Sequence, residues 1–552
     1  MMTRREVLRI LGVAGLATAA GLPLHGCGPL WRQVRSTGKD DSDPIDRTLG
    51  DAAPRAFSGE NPSKTHRLFW GDVGPEGDLL APMERVPVVV IGGGLSGLFT
   101  SYLLRKHKPV ILEGQDRFGG NSRGESWRGI DYSLGAAYFM APQKGSSLDL
   151  LYRELGLEDF CRVKSAVDPV FLQGRRYDGF WEGETDPANA AQFRTLHKLF
   201  LDTVSGEGLP FPDIPIIDPG QRAYMDALDR LDFRSWLEAR VGGKLHPHIM
   251  KRLEFYFWST FGCTLSEASA AAGLNAYASE FGGVLVAPGG NAAIAQRLLE
   301  RIFRKTPSSR LRAGCLAFDV RLDDDGVVVS YEDRRGAVRT IHAKAVVMAC
   351  PKFVVAKILR GIEPERAAAI KKLRYNAYLV GNVLLNGAFE GAYYDVPLLG
   401  DGCFNCDDLP AEIERQGATD VIVATFARPD KERTVLTLYR ALPYADGRAR
   451  VYENGAFERC RSEFDAQIRR FVLPEMGIDP RRIVDVRIAR WGHPMPVPAV
   501  GLIAEGVCDA VRKPFRDRVF FVEQDNWAYA ALETTALEAQ SFAPEVERRI
   551  LA

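Results

Sequence analysis

The stretch from Val86 to Glu113 restricts the fold more than any other part of the chain. Val86 to Ile91 is a mostly β-branched run, apolar on both faces, as a central parallel strand requires. Gly92-Gly93-Gly94-Leu95-Ser96-Gly97 follows it, and Gly92, Gly94 and Gly97 fill the pattern G-x-G-x-x-G. Gly92 lets the chain turn tightly out of the strand. Gly94 lets the backbone approach a pyrophosphate, and Gly97 lets the next helix pack close to the strand. Gly93 and Ser96 complete the loop. Leu95 to Arg105 has helical spacing, with Leu95, Leu98, Leu103 and Leu104 apolar, and Pro109 to Leu112 reads as a second buried strand. Strand, helix and strand thus fall within the ~30 residues of a βαβ unit. A helix start there offers free N–H groups and partial positive charge to phosphates. Glu113 ends the second strand, about twenty residues beyond the glycines, where a carboxylate accepts hydrogen bonds from ribose hydroxyls and repels a 2′-phosphate. The pattern predicts a bound dinucleotide other than NADP.

Glu113-Gly114-Gln115-Asp116-Arg117-Phe118-Gly119-Gly120 continues the motif and fits E-x-x-x-R-x-G-G. With both motifs in register, the chain resembles the flavin monoamine oxidase superfamily, which includes polyamine oxidases, protoporphyrinogen oxidase and phytoene desaturases. The resemblance implies non-covalent FAD, with Arg117, Gly119 and Gly120 near its phosphates and ribityl chain. It also implies an α/β fold: a Rossmann-type FAD-binding domain, its parallel sheet carrying an antiparallel β insertion, interleaved with an α+β substrate domain. Asp131 to Tyr138, with Gly135 at its centre, is similar to the segment that approaches the flavin ring. Pro288-Gly289-Gly290 and Ala349-Cys350-Pro351 resemble elements of the cofactor domain, and Cys315 matches the apolar position whose backbone meets adenine. FAD-binding segments are expected at 84–145, 286–355 and 488–552, and substrate-domain segments at 146–285, where Ser147 to Leu155 and Tyr224 to Val241 carry helical patterns, and at 356–487.

The C-terminal flavin segment departs from the family. Strand Val519 to Val522 is followed by Glu523-Gln524-Asp525, where Asp525 matches the acidic position and Gln524 replaces glycine. Glu533-Thr534-Thr535 replaces Glu-Gly-Ala, and Glu538-Ala539 replaces Ser-Gly. Gly381 falls where amine oxidases place a lysine near flavin N5, and Ala531 falls at one of their aromatic positions, with Trp527 and Tyr529 close by. Near the ring, Arg490, Trp491 and His493 are the candidates. Trp491 and His493 are assigned catalytic positions, His493 as a base or donor titrating near neutrality. Tyr138 is another candidate for the cavity, with core packing as the leading reading.

The expected activity is oxidation by hydride transfer from a C–H bond of a small apolar or amphipathic substrate to flavin N5. A flavin-containing amine oxidase is the first alternative. A non-catalytic, flavin-binding surface lipoprotein is the second, motivated by the altered C-terminal segment. The motifs carry no signal for the electron acceptor.

The 552 residues suit two interleaved domains. A formal net charge of zero gives no global field toward nucleic acid. Thr3-Arg4-Arg5-Glu6-Val7-Leu8-Arg9 resembles the twin-arginine export signal, and Ile10 to Leu24 reads as its apolar region. Leu24-His25-Gly26-Cys27 is similar to a lipobox, so residues 1–27 are expected to direct export. A lipidated Cys27 would then hold the protein at a membrane surface in the periplasm or cell envelope. Export in the folded state suits a protein that takes up its cofactor in the cytoplasm. Residues 28–83 are an N-terminal extension, of which Arg35 to Asn61 reads as a polar tether. Among nine cysteines only Cys403 and Cys406 are closely spaced, with no second ligand pair, so no metal site is expected.

Overall fold

The computed structural model describes residues 45–46, 56–71, 73–74, 81–164, 167–400, 411–413 and 417–552. The twin-arginine stretch, Cys27, Cys403 and Cys406 lie outside the described residues. No helix among the described residues is long and apolar enough to cross a membrane.

The β-branched run forms the strand Glu84–Ile91, buried from Val88 onward. It pairs in parallel with Val110–Glu113 on one side and with Val338–Met348 on the other. Leu311–Ala313 extends this sheet in parallel beyond Val110–Glu113, and Val519–Phe521 pairs in parallel with the end of Val338–Met348. Leu316–Leu322 and Val327–Glu332 add the antiparallel insertion, closed by the turn Asp323 to Gly326. The helix Leu95–Leu103 and the last helix, Leu532–Leu551, pack on one face with Asn291–Phe303. This is the expected α/β architecture. The apolar runs specify it because strands buried on both faces must be covered by helices.

A second sheet, mostly antiparallel, runs in the order Asp395–Pro397, Asp420–Val423, Arg433–Ala441, Tyr378–Asn386, Ile483–Trp491 and Ser58–Gly59. Helices between residues 190 and 280 bury a large aromatic cluster beside it, around Phe200, Phe233, Phe257 and Tyr277.

Two expectations need correction. Tyr224 to Val241 is not one helix. It divides into Arg222–Asp229 and Phe233–Val241, because the Asp232 side chain accepts the Ser235 N–H and starts a new helix. The tether reading also fails in part. Ile45–Asp46 pairs in parallel with Gly124–Glu125, and Ser58–Gly59 forms the edge of the second sheet. The short helices Pro62–Thr65 and Arg67–Trp70 follow directly.

Candidate functional site

Between the two sheets lies a cavity of about 1000 Å³. That is the upper end of the range for ligand sites, ~300–1,000 Å³. It begins at the glycine turn. Gly92 adopts φ +112°, and a Cβ there would lie 2.1 Å from the Ala349 carbonyl oxygen. The loop is tied to the second motif, for the Gly119 N–H donates to the Gly93 carbonyl (2.8 Å). A Cβ on Gly120 would lie 2.9 Å from the Gly94 Cα, so the two glycine segments touch. The helix Leu95–Leu103 starts at Gly94 with no side chain capping it. Its N-terminal dipole and uncapped amides point to an anion. Gly92, Gly94, Ser96, Arg117, Gly119 and Gly120 all line the cavity; Gly93 and Gly97 support it from behind.

Glu113 marks one end. Its carboxylate accepts the Gly93 N–H and the Gln115 N–H, both at 2.7 Å. Burial pushes its pKa up, opposed by those two hydrogen bonds. Cys315 sits beside it, donating its backbone N–H to the Glu113 carbonyl (2.7 Å). Its thiol is also raised, by burial. Farther along, Gly135 lines the cavity, and its carbonyl accepts the Tyr439 hydroxyl (2.7 Å).

These residues fit FAD. The open space at Gly94 and the uncapped helix start are complemented by Asn291, which is 2% exposed and lines the cavity. Its Oδ1 has no hydrogen-bond partner among the described residues. A buried polar atom in that state costs about 1–3 kcal/mol unless a ligand or water meets it.

Beyond Gly135 the cavity opens into a chamber that the sequence did not reveal. Tyr138, Tyr256, Tyr378, Tyr439 and Tyr529 face it, with Asp395, Asp420 and Glu533. Tyr138, read from the sequence chiefly as core, is a wall of this chamber, because its hydroxyl and that of Tyr256 both donate to Glu280 (2.8 and 2.9 Å). Asp395 and Asp420 stand diagonally on one face of paired strands and share a hydrogen bond. Burial pushes both carboxyls up, Asp395 further raised by Asp420 and Asp168. Glu533 is pushed up to about 7 by burial. One of its oxygens accepts the Met140 N–H.

Gly381 does not face this chamber. A Cβ there would meet the Phe464 ring at 2.7 Å, on the opposite face of its strand. Tyr378 and Val380 are the residues of that strand that face the cavity. The alignment with a lysine position therefore slips, and the strand Tyr378–Asn386 contains no lysine. Ala531 lines the cavity with Tyr529, whereas Trp527 turns away to donate its indole N–H to Glu538 (2.9 Å).

Trp491 and His493 also line the cavity, Trp491 directly across the paired strands from Tyr378. The Trp491 indole N–H donates to the Leu134 carbonyl (2.7 Å). His493 packs against Phe353 and Tyr375. Burial, with Arg448 and His66 nearby, pulls its pKa down to about 4. It is neutral at pH 7 and does not titrate near neutrality as expected. Asp525 reaches the cavity, yet one of its oxygens accepts the Lys352 backbone N–H (2.9 Å) and the Tyr375 hydroxyl.

The chain is similar to known proteins in family and fold. A family model for flavin containing amine oxidoreductases matches residues 95–519. Oxidoreductase PigB of a Serratia species is 25% identical over 528 residues, which span 86% of this chain and 77% of PigB. Cyclohexylamine oxidase from Brevibacterium oxydans superposes with a TM-score of 0.61 at 17% identity, over 85% of this chain and 100% of its own. A fatty acid isomerase from P. acnes superposes with a TM-score of 0.59 at 15% identity, over 83% and 98%. The glycine turn, the carboxylate-ended strand and the cavity between two sheets are thus accounted for together: the chain belongs to the flavin containing amine oxidoreductase family and is a FAD-dependent oxidoreductase.

Proposed function

We propose that this oxidoreductase removes a hydride from a C–H bond of a small amphipathic molecule whose polar head donates hydrogen bonds. The observation that carries this reading is the lining of the chamber next to Gly135: tyrosine rings with carboxyl groups among them. Bound FAD supplies the two-electron acceptor. Tyrosine faces offer flat apolar walls, and their hydroxyls offer polar edges. Glu280 fixes the Tyr138 and Tyr256 rings by accepting both hydroxyls, which orients a substrate laid between them. Asp395 and Asp420 offer carboxyl oxygens to a donor head group. Glu533, at about 7, holds or releases a proton near physiological pH.

The amine oxidase reading is favoured by one specific feature, the carboxyl groups Asp395, Asp420 and Glu533 on the cavity wall, which offer acceptors to an amine head beside Arg252. No lysine on the adjacent strand contributes to that chemistry, so proton handling falls to the carboxyl groups. Export by the twin-arginine route and lipid anchoring through Cys27 complete the proposal. They rest on the sequence of residues 3–27, and the mass of the mature N-terminus tests them.

The activity test is anaerobic titration of the yellow protein with amines, porphyrinogens and polyenes, following loss of flavin absorbance. Bleaching by molecules with a donor head, and a selectively raised KM for them in Asp420→Asn, is the expected result. Bleaching only by molecules without any polar head would overturn the reading.

A further inference from the structure

We propose that Arg123 is the cation that grips the diphosphate of the bound dinucleotide, and that residues 58–70 form the clasp that sets it in place. Neither is part of the glycine motifs. Arg123 is 7% exposed, lines the cavity, and its Nε has no hydrogen-bond partner among the described residues. Its guanidinium donates to the Gly59 carbonyl and lies over the Trp491 ring, 5.1 Å from the centroid. Burial pulls its pKa down to about 10 in spite of Glu113 and Glu60, and Arg117 adds to the fall. A buried guanidinium with an unpartnered Nε, which the carboxylates of Glu113, Glu60 and Asp116 do not fully satisfy, is a site waiting for an anion. Its position says which anion. It stands between Glu113, at the ribose end, and Trp491, beyond Gly135, and the diphosphate joins those two ends of FAD.

The clasp is bonded to both halves of the molecule. The Glu60 carboxylate accepts the Gly492 N–H (2.9 Å) and the Tyr452 hydroxyl on the side of the second sheet. On the other side Asn61 and Gln115 exchange hydrogen bonds: the Asn61 N–H donates to the Gln115 side chain (2.9 Å), which donates back to the Asn61 carbonyl (3.0 Å). Lys64 donates to the Gly314 carbonyl, and Arg67 pairs with Glu332 (2.8 Å). Between these anchors Thr65, His66 and Leu68 line the cavity. FAD in the cradle would therefore lie beneath residues 58–70 and leave only when they lift.

The inference rests on FAD as the cofactor, and the probes separate its failure from the failure of that premise. Full-length protein is stripped of flavin and titrated with FAD, ADP and adenosine by calorimetry. Arg123→Met is expected to weaken FAD and ADP at least about tenfold, ~1.4 kcal/mol, and to leave adenosine as in the parent. Arg123→Lys is expected to recover part of the loss. Unchanged affinity for ADP in Arg123→Met overturns the proposal, as does an equal loss for ADP and adenosine. A parent protein that binds none of the three overturns the premise instead. The clasp is tested separately on the holoenzyme by Lys64→Ala combined with Arg67→Ala, which removes two side-chain anchors and leaves Arg123 in place. FAD release, read from the gain in flavin fluorescence on dilution, is expected to quicken at least about tenfold, in proportion to the lost hydrogen bonds and ion pair. An unchanged release rate overturns the clasp.

Discussion

At Gly94 the protein leaves room for a side chain, whereas at Gly97 it leaves none. A Cβ on Gly94 would meet only Gly120, at an ordinary 3.6 Å from its Cα, but on Gly97 it would lie 1.9 Å from the Gly92 carbonyl oxygen. Protein packing thus explains Gly97 and does not explain Gly94; close approach of a phosphate does. Gly94→Ala should keep the apoprotein melting temperature within about 2 °C and weaken FAD binding at least about tenfold. Gly97→Ala should lower the melting temperature before any ligand is added. Equal loss of stability in both variants would remove the distinction. Differential scanning fluorimetry and flavin fluorescence titration read the two effects. This contrast also shows what the sequence could tell. Gly92 to Glu113 was legible because the turn, the helix start and the carboxylate are set by local chain geometry. The chamber was not: Tyr138, Tyr256, Asp395, Asp420 and Glu533 meet only through tertiary folding, and no spacing links them. For His493 the residue was seen but its neighbours were not, and burial with Arg448 decides its charge.

The last helix is pinned by one buried carboxylate. Glu538 is 0% exposed and accepts from Arg512 Nε (2.9 Å), the Trp527 indole (2.9 Å) and the Asn526 amide. It joins the helix Leu532–Leu551 to the helix Val507–Arg512 and to the turn after Val519–Phe521. The departure from the family's small residues therefore has a structural reason here: the space is used to fix the segment that ends the cofactor domain. Glu538→Ala would strand two buried N–H donors and leave the partly exposed Arg512 guanidinium without its partner. A loss of ~1–3 kcal/mol is expected for each buried donor left unpaired, seen as a melting temperature lower by several degrees in both apo and FAD-bound protein. A melting temperature equal to the parent's would show that the three donors find other acceptors. At this scale the sequence was read well where apolar periodicity carried the element, as in Ser147–Leu155, observed over the expected residues. It was misread where polar side chains did the holding. Asp232 interrupts a continuous apolar pattern by capping a new helix, and residues 58–70 are held by hydrogen bonds and ion pairs, which leave no periodic trace.

Placing a large cavity between two sheets obliges the molecule to bury carboxyl groups, and this sets how its stability responds to pH. Glu60, Glu254 and Glu533 are each raised to about 7 by burial. Their unfolded counterparts ionise near 4.5. Between those values the native protein binds protons that the unfolded chain has lost, so stability declines as pH rises through about 7. His493 acts in the other direction. Its pKa falls from 6.5 to about 4, so the native state binds fewer protons over that interval and stability grows with pH until about 6.5. Above that point its contribution is constant and the carboxyls decide the slope. The apoprotein should therefore lose roughly 2 kcal/mol between pH 6.5 and 8 from these three groups together. Urea midpoints measured across that window should fall. Glu254 does not line the cavity and accepts only the Leu265 N–H (2.8 Å) among the hydrogen bonds described, so the cofactor does not touch it. Glu254→Gln, which cannot ionise, should flatten about a third of the slope in apo and FAD-bound protein alike, because the three shifts are alike in size. A midpoint that stays level or climbs from pH 6.5 to 8 would mean that water reaches these carboxyls and that the interior is more polar than the packing of the two sheets implies.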